Sequence, residues 1–196
     1  MILALMALSV SFPRSITIPA LTMPKYAALL RGVSPMNCRM PELKAALEAA
    51  GFTAVKTVIS SGNAVFSTRA ASERTLEQKC EEAFERHMNH RFVTIVRPID
   101  YLQALIDRDP YAAFSLPGGA KRNVTFLRHP PEVPPKLPLR LRGAELLALE
   151  GREALTWYIP NQADPAFMVL IDKAFGKDVT TRTWETVQRI VKAAAA

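Results

Sequence analysis

Apolar positions in the first half of the chain alternate between the spacing of strands and the spacing of helices. Tyr26–Leu30 is a continuous apolar run closed by Arg31 and Gly32, the pattern of a buried strand. A loop from Val33 to Met40 follows. Pro41 suits a first helical position, and Leu43, Ala46, Leu47 and Ala50 then share one helical face. Gly51 offers the left-handed backbone that stops a helix, with Phe52 folding back on the last turn. Val55–Ser60 and Asn63–Ser67 read as two strands joined at Ser61-Gly62, a two-residue hairpin signal. Ser72 is placed to cap a second helix with Glu73 in its first turn. Leu76, Cys80, Ala83, Phe84, His87 and Met88 form an apolar stripe along it, and Phe92–Val96 is a further strand. From Lys25 to Arg97 the order is therefore β-α-β-β-α-β. Right-handed crossovers put both helices on one face of a four-stranded antiparallel sheet, a ferredoxin-like plait.

The pattern after Pro98 is less regular. Ile99–Asp107 predicts a short helix ended by Asp109-Pro110, and Asn123–Arg128 predicts a strand. The proline-rich PPEVPPKLP follows; it reads as a stiff connector or as a segment for an aromatic groove. Leu139–Arg142 and Ala144–Glu150 are extended or short helical, and Gly151-Arg152 turns into a strand over Glu153–Ile159. Pro165–Phe175 has helical period, and Thr183 caps a final helix carrying Trp184, Val187, Ile190 and Val191. The expected fold class is α+β: two tandem ferredoxin-like lobes with antiparallel sheets, the second less regular. The lobes would span 23–98 and 99–196. Residues 1–22, with an apolar but short Met1–Val10, read as an extension, poorly ordered or a mis-called start. Ten apolar residues are too few to span a bilayer core of about 30 Å as a helix, so no membrane association is expected.

Length and composition are those of an ordinary globular chain: 196 residues, 49% apolar, 22% charged. Two cysteines, Cys38 and Cys80, are too few for a disulfide scaffold and suit a reducing, cytoplasmic setting. Net charge is +7, and much of it falls in one stretch. Lys121, Arg122, Arg128, Lys136, Arg140 and Arg142 are opposed there only by Glu132, an arrangement that attracts polyanions or is a solvated basic edge.

Three further clusters carry candidate chemistry. Arg31, Gly32, Asn37 and Arg39 follow the first strand, where guanidinium and amide groups suit a carboxylate or phosphate. Ser60, Ser61, Gly62 and Asn63 offer hydroxyl and backbone donors, or simply a hairpin turn. Thr180, Thr181, Arg182 and Trp184 sit at an expected helix N-terminus, where free amides favour anions; the alternative is a Thr183 cap beside a core tryptophan. Cys80, His87 and His90 lie near one helical face but lack a fourth ligand, so no metal is expected. Gly118-Gly119-Ala120-Lys121-Arg122 is glycine-rich and basic but precedes a strand and lacks phosphate-loop spacing. No cofactor motif and no glycine-flanked nucleophilic serine occurs.

Two segments have a known likeness. YAALLRGVSPMNCRMPELKAALEAAGFTAVKTVISSGNAVF and, near the C-terminus, FGKDVTTRTWETVQRIV resemble the bacterial domain-of-unknown-function family numbered 1697. The resemblance implies two tandem ferredoxin-like lobes and implies no reaction. The chain departs from the family pattern at Ser34-Pro35-Met36-Asn37-Cys38-Arg39, where many members have a glycine-rich loop. It departs again at Asn161-Gln162-Ala163-Asp164-Pro165, where a glycine-containing segment ending in Ser is common. Two functions remain open. One is binding of an anionic partner, nucleic acid or a phosphorylated small molecule. The other is an enzyme acting in a cleft between the lobes through Arg31, Asn37, Ser61 and Arg182. The pattern does not decide whether the chain is an enzyme, nor its oligomeric state.

Overall fold

The structure, a computed structural model, describes residues 23–161 and 165–195; the extension expected over residues 1–22 lies outside them. The first sheet contains β1 (Lys25–Leu30), β2 (Thr53–Thr57), β3 (Asn63–Ser67) and β4 (Thr94–Pro98), in the order β2-β3-β1-β4. Every pairing in it is antiparallel. Two helices, α1 (Met40–Ala49) and α2 (Glu73–Met88), pack on one of its faces.

The local signals explain the boundaries of these helices. Pro41 lies in the first turn of α1. At its other end Gly51 adopts φ +83°, and the Gly51 and Phe52 amides donate to the Glu48 and Leu47 carbonyls, at 2.9 and 3.2 Å. Ser72 Oγ accepts from the Thr75 amide at 3.2 Å and so caps α2. His87 is exposed rather than part of the stripe, because α2 ends a residue later at left-handed Asn89. The hairpin also differs from the two-residue expectation. β2 ends at Thr57, and a five-residue turn, Val58–Gly62, precedes β3, with Ile59 at φ +51° and Gly62 at +74°.

The second sheet follows α3 (Ile99–Asp107). It comprises β5 (Lys121–Leu127), β6 (Leu139–Leu141), β7 (Ala144–Glu150), β8 (Glu153–Tyr158) and β9 (Val179–Thr183), ordered β6-β7-β8-β5-β9. α4 (Ala166–Phe175) packs on one face of this sheet through Leu170 and Ile171. α5 (Trp184–Ala195) follows β9 directly, its first turn capped by Thr183 Oγ1. β9 is the one described strand that the pattern misses. The run Val179-Thr180-Thr181-Arg182-Thr183 leads into a helix as expected, but it is itself an extended edge strand paired with β5. Its β-branched residues carry the signal for that.

The first sheet is buried on both faces. Tyr26, Ala28, Leu30 and Phe66 lie under α1 and α2. Ala27, Leu29, Val65 and Ile95 join Leu102 of α3, Val187 and Ile190 of α5, and Val124, Phe126 and Leu155 of the second sheet in one core. An open-faced nucleic-acid platform on this sheet is therefore ruled out. Its two aromatic residues, Tyr26 and Phe66, stack on each other beneath the helices at 6% and 0% exposure. Among the described residues no helix is long and apolar enough to cross a membrane.

Candidate functional site

The sheets meet where β1 ends, and the polar groups there come from three distant parts of the chain. Leu30 and Gly62 present main-chain carbonyls, Ser61 in the turn and Asn63 at the start of β3 present side chains, and β9 presents Thr180 and Arg182. Arg182 ties them together. Its Nε donates to Asn63 Oδ1. Its terminal nitrogens donate to Thr180 Oγ1 (2.7 Å), Thr181 O (2.8 Å), Leu30 O (2.7 Å) and Gly62 O (3.1 Å). Asn63 is oriented for this by its own amide, which donates to Val58 O (3.1 Å) and Ser61 Oγ (3.0 Å).

All five N–H groups of the guanidinium are thus used, and every acceptor is neutral. Among the described residues no carboxylate lies within 4 Å of it. Arg182 is 8% exposed, and burial lowers its pKa to about 10, so it remains a cation at neutral pH. A buried charge without a counter-charge is costly. This one borders an open cleft of about 410 Å³. Arg31, Gly32, Ser61 and Thr181 also line that cleft, with Val33, Met168, Ile171 and Val179 as apolar surface.

Arg31 differs from Arg182 in having capacity left over. It donates to Val179 O at 3.0 Å and to Asp172 Oδ1 at 3.3 Å, and its side chain is 28% exposed. Two of its five donors are engaged, so the others face solvent or a ligand. Ser61 Oγ accepts from Asn63, which leaves its hydroxyl proton to donate.

The remaining candidates lie elsewhere. Asn37 closes its own loop: its side chain accepts from the Ser34 amide and donates to Gly32 O, both at 2.8 Å. Arg39 is exposed at the start of α1 and does not line the cleft. Trp184 cannot touch a ligand as the helix-terminus reading required. It is 2% exposed and packs edge-on against Tyr111, ring centroids 5.3 Å apart. Among the described residues no group of three His, Cys, Asp or Glu side chains is arranged to hold a metal ion. Cys38 and Cys80 are buried free thiols, both raised in pKa chiefly by burial.

The basic stretch from Lys121 to Arg142 is not the concentrated field that its composition suggests. Arg128 pairs with Glu81 and lies 3.8 Å from Glu77, both on α2. Arg140 pairs with Glu145 at 2.8 Å, and Arg122 lies 4.0 Å from Asp109 and over the Tyr111 ring. Lys121, Lys136 and Arg142 are exposed. The counter-charges come from parts of the chain that a local count does not include.

Arg128 belongs to a buried ionic network that sequence reading missed. Glu77 and Glu81, one turn apart on the core face of α2, accept from the Val96 and Thr94 amides at 3.1 and 3.0 Å. Those amides lie on β4, at the edge of the first sheet, so the carboxylates satisfy an otherwise open strand edge. Arg97 is 1% exposed. It bonds Glu153 (2.7 Å), Glu73 (3.1 Å) and Leu127 O (2.7 Å), stitching β4 to the second sheet. Arg152 reaches Glu73 at 2.6 Å, and Tyr101 donates to Glu153. Burial and the Glu153 carboxylate push the Tyr101 hydroxyl upward in pKa. Each arginine here has a carboxylate partner, the condition that Arg182 lacks.

Fold and site together define an α+β protein, with two antiparallel sheets and five helices among the described residues and a cationic cleft at the junction of the sheets. The chain belongs to the family described as protein of unknown function (DUF1697), whose model matches residues 23–153. Its fold is similar to that in "The structure of conserved bacterial protein SP0830 from Streptococcus pneumoniae", with a TM-score of 0.61 at 19% identity. The match covers 89% of this chain and 99% of that one, and at this identity it speaks to fold alone. No curated protein matches the chain.

Proposed function

We propose that the protein binds a small anionic ligand, such as a phosphorylated metabolite, in the cleft lined by Arg31, Ser61 and Arg182. One observation carries this reading: the Arg182 guanidinium is buried, fully hydrogen-bonded to neutral groups, and uncompensated by any described carboxylate. An anion in the cleft supplies the missing counter-charge. Arg31 and the Ser61 hydroxyl make the direct hydrogen bonds, while Arg182 contributes charge alone. The volume, about 410 Å³, is that of a small-molecule site and does not suit a polynucleotide groove. Binding is favoured over catalysis because the described lining holds no carboxylate, imidazole or thiol to move a proton.

The finer architecture belongs to the same reading. Strand order β2-β3-β1-β4 with two helices on one face supports a ferredoxin-like first lobe over 23–98. Within the second sheet β7-β8-β5-β9 repeats that order, with the proline-rich segment and β6 standing in place of a first helix. This supports a second, degenerate lobe over 99–196. The buried free thiols support a cytoplasmic setting.

A thermal-shift screen of phosphorylated metabolites and short oligonucleotides tests the reading, because a ligand of the native state raises its melting temperature. The expected result is a rise with a phosphorylated small molecule that Arg31→Gln abolishes. A response confined to oligonucleotides, or one that Arg31→Gln leaves intact, contradicts it.

A further inference from the structure

The cleft is half apolar, and that half bears on which anion it takes. α4 is apolar at eight of its ten positions, Asp172 and Lys173 being the exceptions. Its Leu170 and Ile171 are buried against the second sheet, but Met168 and Val169 remain 47% and 45% exposed. Met168 lines the cleft beside Val33, with Ile171 and Val179, themselves 1% and 2% exposed, completing the apolar lining. A helix exposing apolar residues at its solvent side leaves surface that a partner can cover. Methionine suits such a wall, since its unbranched thioether adapts to the shape of a ring or chain.

We infer that the ligand is an amphiphilic organic anion: a phosphate or carboxylate group at Arg31 and Ser61, carrying a compact apolar group that lies against Met168 and Val33. The inference rests on the anion-binding reading and adds the chemistry of the rest of the molecule. Space permits it. A cavity of about 150 Å³ accepts benzene, and this cleft is about 410 Å³, enough for a ring and an anionic head together. Inorganic phosphate or acetate would satisfy the charge and leave the apolar wall in water.

Calorimetric titration of the full chain with inorganic phosphate, phenyl phosphate, acetate and benzoate separates the alternatives. Phenyl phosphate is expected to bind about tenfold tighter than phosphate, and benzoate likewise than acetate, because each ring leaves water on binding. Arg31→Gln should weaken all four. Met168→Ser changes an exposed side chain and should narrow the ratio of phenyl phosphate to phosphate affinity to about twofold. Equal affinities for phosphate and phenyl phosphate, both dependent on Arg31, overturn the amphiphilic ligand and leave the anion reading standing. An aryl preference unchanged in Met168→Ser overturns the assignment of the apolar wall. Failure of all four to bind removes the anion reading and this inference with it.

Discussion

Two arginines that look alike in the sequence have opposite roles at the residue scale. Arg182 holds the ends of β1, β3 and β9 together, so Arg182→Met leaves Asn63 Oδ1 without its donor and takes one donor each from the Leu30 and Gly62 carbonyls, which keep Thr180 Oγ1 and the Leu30 amide. Relief of a buried charge offsets part of that loss, and a net destabilisation of about 2–4 kcal/mol is expected by urea denaturation. Arg31 is in an exposed pair with Asp172, and Arg31→Gln should cost less than about 1 kcal/mol while removing ligand response. Two glycines make a similar contrast. A Cβ at Gly62 would lie 2.6 Å from Val33 Cγ2 and 3.1 Å from Leu30 Cβ, on a backbone at φ +74°. Gly32 has φ +73° with nothing within 4 Å. Gly32→Ala should therefore cost the left-handed penalty alone, about 1–2 kcal/mol, and Gly62→Ala clearly more. Equal losses at the two positions would mean that Val33 yields without strain.

The element scale is where pattern reading succeeded and failed for identifiable reasons. The boundaries of α1 and α2 are set by local chemistry, Pro41, Gly51 and Ser72, and such chemistry is visible in sequence. β6 and β9 are placed at the two edges of the second sheet by pairing with β7 and β5, which is tertiary information, although the β-branched run of β9 is visible in sequence. Arg182 stands just before the Thr183 cap of α5, where the sequence placed it, but it reaches the cleft because β9 pairs with β5, with Arg182 opposite Val124. Glu77 and Glu81 escaped notice because acids beside an apolar stripe usually face water; here an unpaired strand edge draws them inward. That edge has a pH signature. Burial raises the Glu77 pKa above its ordinary 4.5, with Glu73 adding to the rise and Val96, Arg128 and Arg97 opposing it. The folded state then binds the Glu77 proton more tightly than the unfolded state does. Glu77's contribution to stability falls as pH rises from about 4.5 through the folded value. Glu77→Gln should flatten the part of the stability profile that lies above about pH 4.5, measured by urea unfolding. Parallel profiles for the two proteins would show that Glu77 is ionised throughout.

For the molecule as a whole, charge matters by where it is left unanswered rather than by its sum. The chain carries +7, yet the densest basic stretch is partly neutralised by Glu77, Glu81 and Glu145. Among the described residues, a buried cation with no carboxylate partner, Arg182, lies at the junction of the sheets, between segments about 150 residues apart in sequence, Leu30 and Arg182. Distance along the chain hid this, since no local window contains both sides of the cleft. The fold also covers both faces of the first sheet, so neither face is left as a platform for a ligand. Titrating phenyl phosphate into the full chain labelled with nitrogen-15, and following the backbone amide resonances, tests this most directly. The account predicts saturable shifts centred on Gly32, Ser61, Gly62 and Thr181. Shifts centred on residues 121–142, or none anywhere in the chain, would contradict it.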